Sequence, residues 1–124
     1  PHPKEMERLT GLEVSYINKN RKAVAENFAK EYGCTVLLKG ASTVVSDGEN
    51  VYVNTSGNPG MASGGSGDVL TGVLASFAGQ GYSPYEASIL AAYIHGAAGD
   101  SAYEDFGYGL HAENIANYLG KNIR

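Results

Sequence analysis

Residues 57–68 read GNPGMASGGSGD, a run of small residues that leads directly into the apolar pattern of a helix. We predict that this helix spans Asp68 to about Ala78, because apolar residues recur there at the spacing of one helical face. Those residues are Val69, Leu70, Val73, Leu74 and Phe77. Small residues let the backbone approach a bound group closely, and the first N–H groups of a helix lack partners and carry partial positive charge. The run therefore predicts an anion site suited to phosphate.

Asp68 lies where this loop becomes a helix. An Asp in the first turn stabilises a helix by ~0.3–1 kcal/mol through the helix dipole, and for a lone Asp that explanation would suffice. Beside a phosphate loop, the same carboxylate can take a proton from a substrate hydroxyl as that hydroxyl attacks phosphorus. The run is neither a Walker A motif nor a dinucleotide Gly-x-Gly-x-x-Gly after a strand. By itself it indicates phosphate and does not identify the nucleotide.

The remaining pattern alternates between helices and short apolar runs. We predict helices over residues 4–9, 14–32 and 112–119, a strand over 34–38, and a hairpin with strands at 43–45 and 51–53. Ser83-Pro84-Tyr85-Glu86 is typical of a helix start, with Ile89, Leu90, Tyr93, Ile94 and Ala97 facing inward. Apolar strands among helices indicate an α/β layered domain. Only about three strands are visible, which is few for an open sheet, so we expect further strands upstream.

Composition excludes several classes of protein. The 124 residues carry a net charge of -4, with 43% hydrophobic and 18% charged residues, which predicts a folded domain. Lys and Arg form no basic face, so we expect no nucleic-acid partner. No apolar run approaches the ~18–20 residues of a membrane span, so we expect no membrane association. The one cysteine, Cys34, opens an apolar run; we expect a buried, inert thiol and a cytoplasmic protein.

Four segments, in order along essentially the whole chain, resemble the NAD(P)H-hydrate dehydratases. Residues 57–72 resemble the family's signature, Pro1–Met6 its Pro-His-Pro-x-Glu-Met, residues 38–43 its Leu-Lys-Gly-x-x-Thr, and residues 92–100 a helix near its C-terminus. The resemblance, closest to the ADP-dependent bacterial type, implies a ribokinase-like fold, a three-layer α/β/α arrangement. Family members are longer, and this chain begins with Pro1, so we expect residues 1–124 to be the C-terminal portion of one such domain. We expect it to need the N-terminal half for activity.

The resemblance also implies an activity. Members convert hydrated NADH and NADPH back to NADH and NADPH, at the expense of ADP or ATP, with AMP and phosphate released when ADP is used. Mg²⁺ is implied as the partner of the nucleotide phosphates. Asp68 is implied as the catalytic base, which removes the proton from the hydroxyl of the hydrated ring. A homo-oligomer, such as a tetramer, is a family expectation.

The remaining site residues are likewise implied by the resemblance. His2 and Asp68 contact the hydrated dinucleotide, the nucleotide contacts are Lys39, Gly40, Ala41, Ser42, Thr43 and Gly67, and the phosphate cradle is Gly64, Gly65, Ser66 and Gly67. Alternatively, His2 is an exposed loop residue and Lys39 a solvated strand end. We expect His95 to be a satisfied structural histidine. Asp100 and Asp105 lack neighbours in a metal-ligand pattern; we assign them no role and predict no protein metal site.

Two other functions remain open from the sequence. A ribokinase-like kinase acting on a small alcohol or vitamin precursor would share the glycine loop and the Asp base. Residues 58–61 and 1–3 favour the dehydratase, because we associate both segments with that family. In a non-catalytic nucleotide sensor, the loop would bind ADP and Asp68 would only stabilise the helix.

Overall fold

The computed structural model describes residues 1–123, and the chain divides into two units, Pro1–Asn54 and Thr55–Arg124. The first unit contains helices α1 (Pro3–Thr10), α2 (Val14–Lys19) and α3 (Arg21–Tyr32) and strands β1 (Val36–Leu38), β2 (Val44–Ser46) and β3 (Val51–Val53). The second contains helices α4 (Ser66–Gly79), α5 (Pro84–Phe106) and α6 (Ala112–Asn122), with short 3₁₀ turns at Pro59–Met61 and Gly107–Gly109. This order matches the prediction, except that one predicted helix is two.

The predicted helix over residues 14–32 is wrong in one respect, because it breaks at Asn20. The backbone there leaves the helical region, with φ -131° and ψ 36°. The Asn20 side chain donates a hydrogen bond to the Tyr16 carbonyl at 3.0 Å. Asn competes in this way with the hydrogen bonds of a helix interior. Helix α3 then starts at Arg21 and ends before Gly33, whose φ of 60° confirms the predicted stop.

The three strands form an antiparallel sheet in the order β1-β2-β3. The hairpin of β2 and β3 is confirmed, with Val45 opposite Tyr52. Its turn is held by the Asp47 carboxylate, which accepts hydrogen bonds from the N–H groups of Glu49 at 2.9 Å and Asn50 at 2.7 Å. A short polar side chain that binds the backbone ahead of it is a common turn device.

The predictions for Cys34 are wrong in both position and burial. Strand β1 begins at Val36, and Cys34 is exposed. The reason lies in the end of α3, where the Cys34 N–H donates to the Ala29 carbonyl at 3.1 Å. With Gly33 in the left-handed conformation, Cys34 belongs to the turn that closes the helix and not to the strand.

The core of the first unit lies between its helices and its sheet. The buried residues that form one cluster are Met6, Ile17, Val24, Ala25, Ala29, Val36, Leu38 and Val44. Strand β2 is buried along its whole length. The sheet therefore keeps the loops at its ends in place through this core.

Helix α5 is the centre of the second unit, with α4 and α6 packed against it. Its buried residues are mostly small: Ala87, Ser88, Ala91, Ala92, Ile94, His95, Gly96, Ala98, Gly99 and Ala102. Tyr93, predicted to face inward, is 51% exposed. That prediction is wrong because the small residues admit close neighbours on the other sides of the helix and leave Tyr93 at the surface.

The predicted start of α5 is confirmed as a capping box. The Ser83 hydroxyl accepts a hydrogen bond from the Glu86 N–H at 3.2 Å, and the Glu86 carboxylate accepts one from the Ser83 N–H at 3.3 Å. We expect Ser83→Ala to lower the free energy of unfolding by about 1 kcal/mol, because one cap is lost. Urea unfolding measures the change. Ser15→Ala, at an exposed position inside α2, is the control and should cause no loss. Equal effects of the two substitutions would contradict the cap.

Candidate active site

The glycine-rich loop lies along helix α5. Ser56 donates a hydrogen bond from its hydroxyl to the Tyr93 carbonyl at 2.8 Å. The Gly57 N–H donates to the Asp100 carboxylate at 3.0 Å, and the Asn58 side-chain amide donates to the other oxygen of the same carboxylate at 2.8 Å. The prediction that Asp100 has no role is therefore wrong, because its carboxylate holds the beginning of the loop.

Three glycines allow the loop and helix to come together. A Cβ at Gly96 would overlap Ser56, and a Cβ at Gly99 would overlap the Met61 side chain. A Cβ at Gly60 would lie 2.8 Å from the Tyr103 ring. Side chains at these positions would force the loop away from the helix.

The end of the loop forms the start of α4 and leaves donors available. Gly65 is the residue before the helix, with φ 90°, and no side chain caps the helix there. Within residues 1–123, the N–H groups of Gly64, Gly65 and Gly67 donate no hydrogen bond. Ser, Thr, Asp and Asn are preferred at helix starts because their side chains take up such donors. Three residues of the predicted phosphate cradle thus have the free backbone N–H groups that an anion needs. The fourth, Ser66, does not, because its N–H donates to the Ser63 carbonyl at 3.3 Å.

Asp68 is the third residue of α4, one turn from those donors. Its N–H donates to the Gly65 carbonyl at 3.1 Å, which fixes the backbone. The side chain is exposed, and no other residue of the described chain forms a hydrogen bond or ion pair with it. A carboxylate in the first turn interacts with the helix dipole without such a partner, so its oxygens remain accessible. This one is available to a ligand.

The His95 side chain supports the first turn of α4 by binding its backbone. Its Nε2 lies 3.0 Å from the Ser66 carbonyl oxygen, and the ring is 8% exposed. A nitrogen that binds a carbonyl must carry the proton, so the ring is the Nε2–H tautomer. Burial lowers the pKa of His95 below its ordinary 6.5, and the hydrogen bond to Ser66 opposes this in part. The prediction of a satisfied structural histidine is confirmed.

In the first unit, the structure brings the two predicted binding segments together. The Lys39 N–H donates to the Pro1 carbonyl at 2.8 Å, which ties the end of β1 to the residue before His2. His2 is the cap of α1: its Nδ1 accepts from the Glu5 N–H at 3.2 Å. The side chain remains 50% exposed. His2 is therefore an ordered helix cap with an accessible face, not a free loop residue.

Residues 39–43 form a tight turn that Arg21 supports. Thr43 donates from its hydroxyl to the Gly40 carbonyl at 3.2 Å. The Arg21 guanidinium donates to the Leu38 carbonyl at 3.0 Å and lies so close to Gly40 that a Cβ there would be 2.8 Å from it. Burial lowers the pKa of Arg21. No sequence signal indicated this residue, because its place depends on the helix break at Asn20.

Three other predictions concern a metal site, Asp105 and a membrane span. Among residues 1–123, no group of three or more His, Cys, Asp or Glu side chains is arranged to hold a metal ion. Asp105 accepts a hydrogen bond from the Tyr118 hydroxyl, away from the loop. No helix in the described part of the chain has the length and apolar character needed to span a bilayer.

The lowered pKa of His95 predicts a pH dependence of stability. The unfolded histidine takes up a proton near pH 6.5 more readily than the buried one. Its contribution to stability is therefore complete above about pH 6.5 and is lost as the pH falls towards the folded pKa. We expect His95→Gln, which keeps an N–H donor without titrating, to flatten this part of the pH profile. Urea unfolding across the acid range measures it, and an unchanged slope in the variant would rule out His95 as the source.

A sequence model of the NAD(P)H-hydrate dehydratases matches residues 1–121. The bifunctional NAD(P)H-hydrate repair enzyme of Moorella thermoacetica is 52% identical over 127 aligned positions, which cover 100% of this chain and 24% of that protein. The ADP/ATP-dependent NAD(P)H-hydrate dehydratase from Bacillus subtilis, co-crystallised with ATP/Mg²⁺ and soaked with CoA, superposes with a TM-score of 0.93. Its identity is 31%, over 98% of this chain and 46% of that one.

The comparisons confirm the predicted fold class. A ribokinase-like superfamily protein from Enterococcus faecalis is 31% identical, with a TM-score of 0.77 over 98% of this chain and 43% of its own. The chain thus has the fold of part of a ribokinase-like α/β protein. It spans about a quarter of the Moorella protein and under half of each of the two structures. That residues 1–124 belong to one domain stays a prediction.

Proposed function

Because the chain belongs to the NAD(P)H-hydrate dehydratase family, we propose that the protein returns hydrated NADH and NADPH to NADH and NADPH. The reaction uses ADP and releases AMP and phosphate. The observation that carries this proposal is the exposed Asp68 carboxylate one turn from the free N–H groups of Gly64, Gly65 and Gly67. A base and a phosphate cradle on one helix start are two of the elements that phosphoryl transfer from a nucleotide uses.

Asp68 takes the proton of the hydroxyl on the hydrated ring, and the hydroxyl oxygen attacks the terminal phosphorus of ADP. AMP leaves, and the ring now carries a phosphate ester. Loss of phosphate and of a ring proton then restores the double bond. The ester is required because hydroxide is a poor leaving group. The free N–H groups of Gly64, Gly65 and Gly67 stabilise the charge on the transferring group, as donors in an oxyanion hole do.

The same proposal assigns the residues that contact the nucleotide and the hydrated dinucleotide. Lys39 acts as a point charge beside the nucleotide phosphates, with Gly40, Ala41, Ser42 and Thr43 contacting the nucleotide and Gly67 its AMP part. His2 contacts the hydrated dinucleotide through its accessible face. Mg²⁺ would be held mainly by the nucleotide phosphates, where it would neutralise part of their charge.

A small-alcohol kinase is the second candidate, since it would use the same loop and base. The family match and the Moorella relative favour the dehydratase. In a sensor without catalysis, Asp68 would only stabilise the first turn of α4 through the helix dipole, and Asp68→Asn would leave the output of the protein intact. We also propose that the protein works in the cytoplasm as a homo-oligomer, such as a tetramer, together with the N-terminal half that the longer relatives contain.

Asp68→Asn tests the proposed base in the full-length protein. Hydrated NADH is incubated with ADP and Mg²⁺, and the return of the reduced-nicotinamide absorbance is followed. We expect turnover to fall by about 10²–10⁴-fold, because general-base catalysis contributes that much. ADP binding, measured by calorimetry, should stay within a few-fold. Lys39→Ala, by contrast, should weaken ADP binding, because it removes the point charge beside the nucleotide phosphates.

Glu113→Gln is the matched control, since it removes an acidic residue from the first turn of α6. It should leave turnover unchanged. Wild-type turnover in Asp68→Asn would overturn the role of the base. A phosphorylated product in place of free phosphate would identify a kinase.

A further inference from the structure

Four residues of α5 form one stripe beneath the loop. Gly96, Gly99, Asp100 and Tyr103 are spaced by three and four residues, which places them on the same face of the helix. Each contacts a different part of the loop. Gly96 faces Ser56, Gly99 faces the Met61 side chain, Tyr103 faces Gly60, and Asp100 binds Gly57 and Asn58. The loop thus follows the helix surface from Ser56 to Met61.

Asp100 is the one charged member of the stripe, and it uses both of its carboxylate oxygens. One oxygen accepts the Gly57 N–H at 3.0 Å and the other the Asn58 amide at 2.8 Å. The carboxylate also decides which way the Asn58 amide points. If that amide were reversed, two oxygens would face each other. The Asn58 oxygen is therefore turned into the protein, where it is buried and, within residues 1–123, has no hydrogen-bond partner.

A buried acceptor without a partner is unfavourable and needs compensation elsewhere. Here the compensation is the charge-assisted pair of hydrogen bonds to Asp100, which are stronger than neutral ones. The Asn58 carbonyl, in turn, accepts the Met61 N–H at 3.1 Å and so starts the 3₁₀ turn that leads to the phosphate cradle. The direction of the loop on its way to Gly64 thus depends on Asp100.

We propose that Asp100 is a positioning residue for the phosphate-binding loop. This inference rests on the proposed function, for it assigns Asp100 to the same site. Asp100 holds the first half of the loop, and His95, five residues earlier on the same helix, holds the second half through Ser66. Loss of the Asp100 contact releases the loop at Gly57 and Asn58 and shifts Gly64, the first residue of the cradle, relative to the start of α4. A misplacement of about 1 Å can lower turnover by roughly 10²-fold.

An exchange of the two partners gives the sharpest test. In Asp100→Asn, the one remaining side-chain oxygen can accept from the Gly57 N–H or from the Asn58 amide but not from both, and in Asn58→Asp, two carboxylates repel each other. In the double variant, the amide at position 100 can donate to the carboxylate at position 58 and accept from the Gly57 N–H. We expect each single variant to lose about 10- to 100-fold in kcat/KM for ADP, and the double variant to recover most of it.

The measurements use the full-length protein at a temperature where circular dichroism shows every variant folded. Both kcat and KM for ADP are determined, together with ADP affinity by calorimetry. A merely structural residue would lower the thermal midpoint but leave kcat and KM of the folded molecules unchanged. Asp105→Asn is the matched control, because Asp105 lies on the same helix and contacts Tyr118 and not the loop.

Wild-type kinetics and ADP affinity in both single variants, or a double variant no better than the single ones, would overturn the role of Asp100. A wild-type protein that binds ADP but dehydrates nothing would refute the proposed function alone; weaker ADP binding in Asp100→Asn, recovered in the double variant, would still support the positioning role. A wild-type protein that neither binds ADP nor turns over would refute both.

Discussion

The close approach of the glycine loop to helix α5 is the contact on which the second unit depends. At Gly96 and Gly99, any side chain would overlap Ser56 or Met61. Because the helix has no side chain at these two positions, Asp100 reaches the backbone of Gly57 and His95 reaches that of Ser66. The same helix therefore holds both ends of the loop. The small residues of α5 serve this approach as much as they serve the packing of α4 and α6.

From this contact follows the chemistry of the site. A loop held at its ends can leave its last N–H groups without partners in the fold, and Gly65 starts α4 without a capping side chain. A Gly at this position costs roughly a few tenths of a kcal/mol relative to a capping side chain, so the start of α4 keeps its donors for an anion at little cost in stability. The Asp68 side chain, in the first turn of this helix, is likewise exposed. In the first unit a glycine also allows a close contact: Arg21 lies against Gly40 and supports the turn that ends at Thr43.

The differences between prediction and structure have physical causes that can be traced to particular residues. The Asn20 break and the exposed Cys34 both arise because a helix end is decided by local hydrogen bonds, which apolar spacing does not register. Tyr93 was assigned to the interior by its spacing, yet α5 is surrounded on several sides and its inner faces are filled by Ala and Gly. Asp100 escaped notice because its partners, Gly57 and Asn58, are more than forty residues away along the chain.

The sequence by itself determined the features that are local: the hairpin around Asp47, the capping box at Ser83, the start of α4 after a run of glycines, and the family resemblance that named Asp68. Each depends on residues within a few positions of one another, so residue type and spacing suffice. Only the tertiary structure decided that Asp100 and His95 hold the loop and that Arg21 supports residues 39–43. Those contacts join distant parts of the chain, and the Asp100 contact depends on Gly96 and Gly99, which let the loop approach α5 where any larger residue would keep it apart.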